Sequence, residues 1–377
     1  MSAVVADDVR RAVAAVIDPE LRRPLGELDM VRDIVVSDAV ARVGIALTIV
    51  GCPAADRIEQ DVRDAAASVP GVSEVAVDVG VMTPAERSAL VERIRGTRRM
   101  AFTADSLTRV IAITSGKGGV GKSTLTANLA VALAMRGLAV GLIDADVHGF
   151  SIPGLLGLTD DDGRPPQPTR LNDLMLPPVA YGVKTISIGM FLPPEASPAV
   201  AWRGPMLHRT VQQFLTDVHF GDLDVLLIDM PPGTGDVAIS VGQLLPHAEV
   251  VVVTTPQAAA ADVAVRSGVV ARQTGQSILG VVENMAGFTL PDGTAFDLFG
   301  GGGGTAVAAA LSSDTETVPL LGSVPLSRAL REGGDTGVPV VVGAPDDESS
   351  RMISTIAHAI ASTRRSWAGR SLPVSRA

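Results

Sequence analysis

Three things are scarce in this sequence of 377 residues: cysteine, aromatic side chains and net positive charge. The single cysteine, Cys52, cannot form an intrachain disulfide or a Cys-x-x-Cys metal site, and this scarcity indicates a reducing compartment. Aromatic residues make up only 3% of the chain, too few for a surface on which nucleobases stack. The net charge of −10 argues against a broad contact with nucleic acid or with an anionic membrane.

Long hydrophobic runs are missing as well. The mean hydropathy is +0.33, but the longest apolar stretches, such as Leu138–Ile143 and Val250–Val253, have only the length of strands. A helix that spans a bilayer needs about 20 apolar residues. The first residues include Asp7 and Arg10 and contain no uninterrupted apolar region of the kind found in secretory signals. These absences predict a cytoplasmic protein that has neither a membrane nor a nucleic acid as partner.

The chain length allows one small and one large domain, since domains typically have about 150 residues. Residues 1–92 mix helical and strand patterns and predict a small N-terminal α/β domain. The arginine-rich residues 93–108 predict a linker, residues 109–365 a larger α/β domain, and residues 366–377 a basic tail.

Short apolar runs alternate with helical segments throughout the larger domain. Strands that are apolar on both faces are typical of a parallel sheet, so this pattern predicts a mainly parallel sheet with helices on both faces. The predicted strands are Val110–Thr114, Ala139–Ile143, Thr185–Ile188, Val225–Ile228, Glu249–Thr254, Ser277–Val282 and Leu320–Val324. Asp162–Pro178, which holds five of the 25 prolines, predicts a surface loop, and Gly300–Gly304 predicts a flexible connector.

A glycine-rich loop follows the first of these strands and fits the pattern G-x-x-x-x-G-K-[ST] of a P-loop NTPase. Glycines let successive backbone N–H groups turn towards phosphate oxygens, and the start of the next helix adds a favourable dipole. Lys122 would reach the β- and γ-phosphates, and the Ser123 hydroxyl would ligate Mg²⁺. The residues predicted to bind the nucleotide in this loop are Gly116, Lys117, Gly118, Gly119, Val120, Gly121, Lys122, Ser123 and Thr124.

A dinucleotide-binding loop is the alternative interpretation, because three of these glycines also match G-x-G-x-x-G and Asp144 ends a later strand. A dinucleotide-binding helix, however, has no use for the cation and hydroxyl of Lys122 and Ser123. A second apolar strand ends in Asp229, as an NTPase requires near its Mg²⁺, and Pro231–Gly235 supplies a glycine loop where a γ-phosphate sensor would lie. These features favour the NTPase.

The motifs together resemble a known family. Lys117, beside the first loop glycine, gives the deviant phosphate loop of the MinD, ParA and nitrogenase-iron-protein group. Leu227–Asp236, Thr254–Gln257 and Val281–Met285 narrow the resemblance to the Mrp/ApbC branch of iron–sulfur cluster carrier ATPases. The N-terminal segments Asp18–Leu21 and Gly51–Pro53 resemble the small domain that precedes the ATPase in many bacterial members.

The resemblance implies a homodimer that binds Mg²⁺–ATP, hydrolyses it slowly, and transfers iron–sulfur clusters to apoproteins or assists their assembly. It implies three catalytic residues, Lys117, Lys122 and Asp146. Lys117 would cross the dimer interface to the partner's nucleotide, and Asp146 would position the attacking water. Asp229 would hold Mg²⁺ through water, and Asn284 would hydrogen-bond the adenine.

The sequence departs from the family where the cluster is usually held. Members commonly have Cys-x-x-Cys a few residues after the Glu-Asn-Met segment, but here Leu290 and Gly293 occupy those positions. A 4Fe–4S cluster usually needs four thiolates, and a dimer of this chain has only two, both Cys52. Two interpretations stay open: the cluster is held differently, or the ATPase serves assembly without carrying metal. Cys52 is correspondingly either a cluster ligand or reactive thiol, or a small buried side chain at a turn.

Two other functions are compatible with the phosphate loop. A ParA/MinD-like switch would use ATP to control association with a partner or surface, without binding a cluster. It requires a basic patch or an amphipathic terminal helix, and the C-terminal tail is basic but has little apolar periodicity. The second is a scaffold that holds a nucleotide without hydrolysing it.

Overall fold

The computed structural model describes residues 2–49, 54–95, 102–147, 149–192, 204–289 and 294–363. The predictions for Cys52, for Leu290 and Gly293, for residues 96–101 of the linker and for the basic tail lie outside the described residues. We call residues 2–95 the N-terminal unit and residues 102–363 the P-loop unit.

The N-terminal unit is a three-stranded sheet covered by helices. Its helices are α1 (Ser2–Ala14), α2 (Ala55–Ala67) and α3 (Pro84–Arg95), and its strands are β1 (Val31–Ser37), β2 (Val40–Leu47) and β3 (Glu74–Val81). The central strand β2 is antiparallel to β1 and parallel to β3. Helix α3 begins with Pro84 in its first turn, and a capping box joins Thr83 and Glu86, each side chain accepting from the other's backbone N–H.

The P-loop unit contains an eight-stranded sheet. The strands of the whole P-loop unit are β4 (Arg109–Ser115), β5 (Val140–Asp144), β6 (Thr169–Leu171), β7 (Leu174–Leu176), β8 (Val179–Ala180), β9 (Val183–Ser187), β10 (Val225–Asp229), β11 (Glu249–Thr254), β12 (Ser277–Ala286), β13 (Phe288–Thr289), β14 (Ala295–Phe296) and β15 (Leu320–Pro325). Of these, β6 and β7 form a separate two-stranded sheet, as do β13 and β14. The strand order in the large sheet is β15-β12-β11-β4-β10-β5-β9-β8, and only the β8–β9 pair is antiparallel. The predicted mainly parallel sheet is confirmed.

Helices cover both faces of this sheet. They are α4 (Lys122–Met135), α5 (Ile152–Leu155), α6 (Gly204–Asp217), α7 (Asp236–Leu244), α8 (Ala258–Gln273), α9 (Gly303–Leu311), α10 (Arg328–Thr336), α11 (Val340–Gly343) and α12 (Glu348–Ser362). Leu129 of α4 and Ile356 of α12 are fully buried in the core of one face, and Phe214 of α6 and Val241 of α7 in that of the other. Within the described residues, no helix combines the length and the apolar composition that crossing a bilayer requires.

The topology brings two carboxylates together at one edge of the sheet. Strand β10 lies between β4 and β5, and its last residue, Asp229, is in register with Asp144 of β5. Strand β4 ends at the same edge and leads into the phosphate loop. Ligands of open α/β sheets bind at the carboxyl ends of the strands, so this edge is where a site is expected.

The prediction of a surface loop over Asp162–Pro178 is wrong. This segment contains the β6–β7 hairpin, in which Leu171, Leu174 and Leu176 are 0%, 3% and 1% exposed. These leucines belong to the hydrophobic core of the N-terminal unit. The prolines that flank the hairpin suggested a loop, but its leucines bury more apolar surface than a solvated loop would.

The prediction of a flexible connector over Gly300–Gly304 is wrong for its last two residues, which begin α9. A Cβ atom on Gly303 would lie 2.4 Å from the carbonyl oxygen of Thr255, and one on Gly304 would lie 2.7 Å from Cβ of Glu283. The Glu283 carboxylate accepts a hydrogen bond from the Gly304 N–H at 2.9 Å. These two glycines therefore allow the start of α9 to approach the sheet closely.

Candidate nucleotide site

The phosphate loop has a backbone that only glycine adopts without strain. Gly119 and Gly121 have φ values of 79° and 76°, in the left-handed region. Gly116 lies against helix α8, and a Cβ atom there would be 2.2 Å from the carbonyl carbon of Val263. The loop is thus held between α8 and the first turn of α4, whose N-terminus favours anions.

Below the loop, the fully buried Asp229 is the centre of a polar cluster. Its Oδ1 lies 2.7 Å from Nζ of Lys122 and accepts a hydrogen bond from the Thr126 hydroxyl at 2.9 Å. Its Oδ2 accepts from the Ser123 hydroxyl at 2.6 Å. Burial raises the pKa of Asp229, and the Lys122 ammonium and the two hydroxyl donors oppose that rise. One carboxylate thereby positions the cation and the hydroxyl that a P-loop uses.

Asp144, the neighbour of Asp229 in the sheet, connects the strand ends to the segment that follows. Its carboxylate accepts hydrogen bonds from the Ser187 hydroxyl at 2.9 Å and from the N–H groups of Asp146 at 3.2 Å and Ile152 at 3.4 Å. Complete burial, together with the charge of Asp229, raises the pKa of Asp144 to about 8. The carboxylate therefore anchors the backbone at Asp146 and at Ile152 to the sheet.

Two cavities adjoin each other at Gly121 and Thr124. The first, of about 470 Å³, is formed by the phosphate loop together with Asp146, Gly149 and Ser151. The second, of about 640 Å³, is mainly apolar. Its lining includes Leu155, Asn284, Met285, Phe288, Pro325, Leu326 and Leu330. The pair offers a polar compartment beside an apolar one, which matches a nucleotide's phosphates and its base.

The structure brings most of the predicted site residues together. Lys117, Lys122, Ser123 and Asp146 line the first cavity, with Asp229 directly behind Lys122. Lys117 lies at the surface, and Asp146 is buried.

Asn284 lies in the second cavity rather than the first. Its amide Nδ2 donates to the carbonyl oxygen of Val120 at 2.9 Å, so the side chain is fastened to the phosphate loop. The amide oxygen is an acceptor of the kind that an adenine amino group requires.

From the sequence, no role at this site was assigned to three residues. Thr126 binds Asp229, Ser187 binds Asp144, and Gln257 accepts a hydrogen bond from Nζ of Lys117 at 3.2 Å. Thr126 stands three residues after Ser123 on the same helix, a spacing that would have placed both hydroxyls on one face. The role of Ser187 depends on the strand order, which no local pattern contains.

Comparison with known proteins agrees with this geometry. The family model of the NUBPL iron-transfer P-loop NTPases matches residues 106–361, two thirds of the chain. The chain belongs to this family. A second family model, described as iron-sulfur cluster assembly protein, matches residues 6–79 of the N-terminal unit. The resemblance inferred from the motifs is confirmed.

Several relatives are similar over nearly the whole chain. A Mycobacterium bovis protein named iron-sulfur cluster carrier protein is 53% identical over 370 residues, covering 97% of this chain and 95% of its own. A Synechocystis protein of the same name is 42% identical, covering 94% and 96%. A nucleotide-binding protein from Archaeoglobus fulgidus, solved in complex with ADP, is 36% identical with a TM-score of 0.50, covering 61% of this chain and 86% of that one.

Proposed function

We propose that this iron-transfer P-loop NTPase binds Mg²⁺–ATP, hydrolyses it as a homodimer, and uses it to carry iron–sulfur clusters to apoproteins or to assist their assembly. The observation that carries the nucleotide part is the contact of Asp229 with Lys122 and Ser123 at the base of a glycine-lined cavity. The hydroxyl and the carboxylate are oxygen donors of the kind that Mg²⁺ prefers, so the residues present fit the ion.

The two cavities support the binding of different parts of one nucleotide, the phosphates in the first and the base in the second. The loop amides, Lys122 and the start of α4 would hold the phosphates, while Ser123 would ligate Mg²⁺ and Asp229 would bind it through water. The base would occupy the apolar cavity, where Asn284 offers its amide oxygen. The Archaeoglobus relative was solved with ADP, which supports an adenine nucleotide here.

Hydrolysis would need a positioned water and additional positive charge near the γ-phosphate. Asp146 lines the phosphate cavity and would orient the water, as the family resemblance implies. Lys117 lies at the surface, where its ammonium contacts the side chain of Gln257. This partly exposed position supports the proposal that Lys117 reaches the nucleotide of a second subunit.

The two loop lysines provide the test of this proposal. Lys122→Ala should abolish ATP binding and lower phosphate release by about 10²–10³-fold, because one preorganised charge at the phosphates is lost. Lys117→Ala should keep ATP binding in calorimetry but lose phosphate release, because it acts only in the dimer. Equal release by the wild type and Lys122→Ala would contradict the ATPase proposal.

The use of ATP for iron–sulfur clusters is supported by both family models and by the names of the relatives. The cluster would be cargo rather than a resident cofactor. The P-loop unit has no cysteine, and its described residues contain no group of three or more histidine, cysteine, aspartate or glutamate side chains that could hold a metal ion. Protein thiolates for the cargo would therefore come from Cys52 or from the client protein.

Anaerobic reconstitution followed by iron and sulfide counts tests this part. Bound cluster in the wild type and none in Cys52→Ala would support carriage through Cys52. No iron in either protein, with maturation of client enzymes still dependent on Lys122, would leave a role in assembly without carriage. Normal client maturation in cells that lack the protein would contradict both versions.

A further inference from the structure

The β6–β7 hairpin belongs to two hydrophobic cores at once. Leu174 and Leu176 point into the core of the N-terminal unit, whereas Met175 between them belongs to the core of the P-loop unit. Alternate side chains of a strand point to opposite faces, so this three-residue strand contacts both units along its whole length. The backbone carbonyl of Met175 also accepts a hydrogen bond from the N–H of His219 at 2.8 Å.

Polar contacts attach the same hairpin to the turn that follows α1. The hydroxyl of Thr169 donates to Oε1 of Glu20 at 2.7 Å. Glu20 is presented by a tight turn, because the buried carboxylate of Asp18 accepts hydrogen bonds from the N–H groups of Glu20 and Leu21 at 2.9 and 2.7 Å. The turn at Asp18–Leu21, held by its own hydrogen bonds, thus contacts the β6–β7 hairpin directly.

The chain that leads into the hairpin forms walls of the nucleotide site. Asp146, Gly149 and Ser151 line the phosphate cavity, and Leu155 of α5 lines the apolar cavity. Residues 156–168 then connect α5 to Thr169, and their last part contains three prolines, which restrict the backbone to extended conformations. Residues 149–155 are therefore joined to the hairpin by a single segment whose last part is stiffened by prolines.

A second connection runs through helix α10, which lines the apolar cavity with Leu330 and neighbouring residues. Helix α10 ends at Thr336, and the carbonyl oxygen of the next residue, Gly337, accepts a hydrogen bond from the hydroxyl of Tyr181 at 3.1 Å. Tyr181, in turn, lines a cleft of about 600 Å³ between the units together with Val16, Ile17, Pro19 and Arg22. Both compartments of the nucleotide site are thus connected to the interface between the units.

We infer that the β6–β7 hairpin is the surface through which the N-terminal unit docks on the P-loop unit, and that it couples the N-terminal unit to the nucleotide site. Nucleotide binding fixes residues 146–155, and the hairpin transmits this change to the turn at Asp18–Leu21. The partner of this docking surface is the chain's own N-terminal unit. The coupling rests on the proposed binding of nucleotide, whereas the docking does not.

Hydrogen exchange of the full-length chain, with and without Mg²⁺ and a slowly hydrolysed ATP analogue, tests the coupling. Peptides covering residues 115–124 report nucleotide binding itself. In the wild type we expect several-fold slower exchange in these peptides, in the hairpin at residues 169–176 and in the turn at residues 18–28. Slower exchange at residues 115–124 with no change at residues 18–28 would overturn the coupling and leave the proposed function intact. No change at residues 115–124 would remove nucleotide binding and the coupling together.

Leu174→Ala tests whether the hairpin is the path. It should keep the nucleotide response at residues 115–124 and lose most of the response at residues 18–28, leaving only what the contact between Tyr181 and Gly337 transmits. The matched control is Leu311→Ala, which truncates an equally buried leucine of α9 within the P-loop unit and should keep both responses. Should Leu174→Ala fail to fold, Thr169→Val removes only the contact with Glu20 and should weaken the response at residues 18–28. A wild-type response at residues 18–28 in either folded hairpin variant would overturn this role of the hairpin.

Discussion

Two clusters of buried charged side chains, one below the phosphate loop and one near the docking surface, are built on opposite principles. Below the phosphate loop, Asp144 and Asp229 are fully buried and one ammonium, that of Lys122, serves both. Near the docking surface, Lys184 is 8% exposed and lies close to His219, with arginines of the N-terminal unit nearby. The first cluster has an excess of negative groups and the second an excess of positive groups.

This difference predicts opposite responses to acid. Burial raises the pKa of Asp144 to about 8, so acid protonates a carboxyl whose charge is costly and relieves the first cluster. Burial, with the charges of Lys184 and Arg23, lowers the pKa of His219 to about 4, so acid forces a charge into a site that disfavours it. Acid thus relieves the first cluster, whereas the second cluster depends on a histidine that stays neutral.

Removing the ammonium of Lys122, which both carboxylates share, should produce the largest change in the free energy of unfolding. Lys122→Met keeps most of the side-chain volume and leaves two buried carboxylates without a cation. We expect the free energy of unfolding to fall by about 3–5 kcal/mol at pH 8, as measured by urea denaturation. Relative to the wild type, this deficit should shrink as the pH falls, because burial raises the pKa of both carboxyls and acid therefore favours their neutral forms.

Lys117→Met is the matched control for this experiment. Lys117 belongs to the same loop, but its ammonium lies at the surface and donates to the side chain of Gln257 rather than to a buried carboxylate. Its replacement should change the stability by less than about 0.5 kcal/mol. Equal losses in the two variants at pH 8 would mean that the carboxylates do not depend on Lys122.

How much of the site could be predicted from the sequence depends on how local each contact is. The phosphate loop is contiguous, so its chemistry and its place between a strand and a helix could be predicted from the sequence. Asp229 could be predicted because it ends an apolar strand. Ser187 could not, because its contact with Asp144 exists only once β9 is placed beside β5.

The parts of the fold that could be predicted from the sequence are likewise those with a local pattern. The long apolar strands of the large sheet predicted its parallel architecture, since two-sided burial leaves a continuous pattern. Strands β6 and β7 have three residues each, too few for a periodic pattern, and their leucines contact a unit distant in the sequence. The domain boundaries and the role of Cys52 stay predictions.

Replacing His219 tests the second cluster and should produce the next largest change in stability. The folded protein takes up a proton at His219 only near pH 4, whereas an unfolded histidine does so near pH 6.5. Stability is therefore lost as the pH falls from 6.5 to 4, by about 1–3 kcal/mol for this group. His219→Gln should lack this part of the loss when unfolding is measured at pH 7 and at pH 4.5.

The exposed His358 provides the control for that experiment. His358→Gln controls for the loss of a histidine as such, because the side chain of His358 is exposed and lies outside the second cluster. If His219→Gln and the wild type lost the same stability between the two pH values, His219 would not be held neutral by its surroundings. The two clusters would then respond to acid in the same direction.

The contact between Thr169 and Glu20 should have the smallest effect, because it is a single hydrogen bond at a partly buried position. Thr169→Val keeps the shape of the side chain and should lower the free energy of unfolding by about 1 kcal/mol. Thr355→Val, on the exposed face of α12, removes a hydroxyl that bonds only within its own helix and should change it by less than about 0.5 kcal/mol. Equal effects of the two variants would mean that the polar contact at the docking surface adds nothing to the burial of the three hairpin leucines. Docking would then depend on apolar packing alone. Polar interactions would matter in the two buried clusters but not in the neighbouring hairpin.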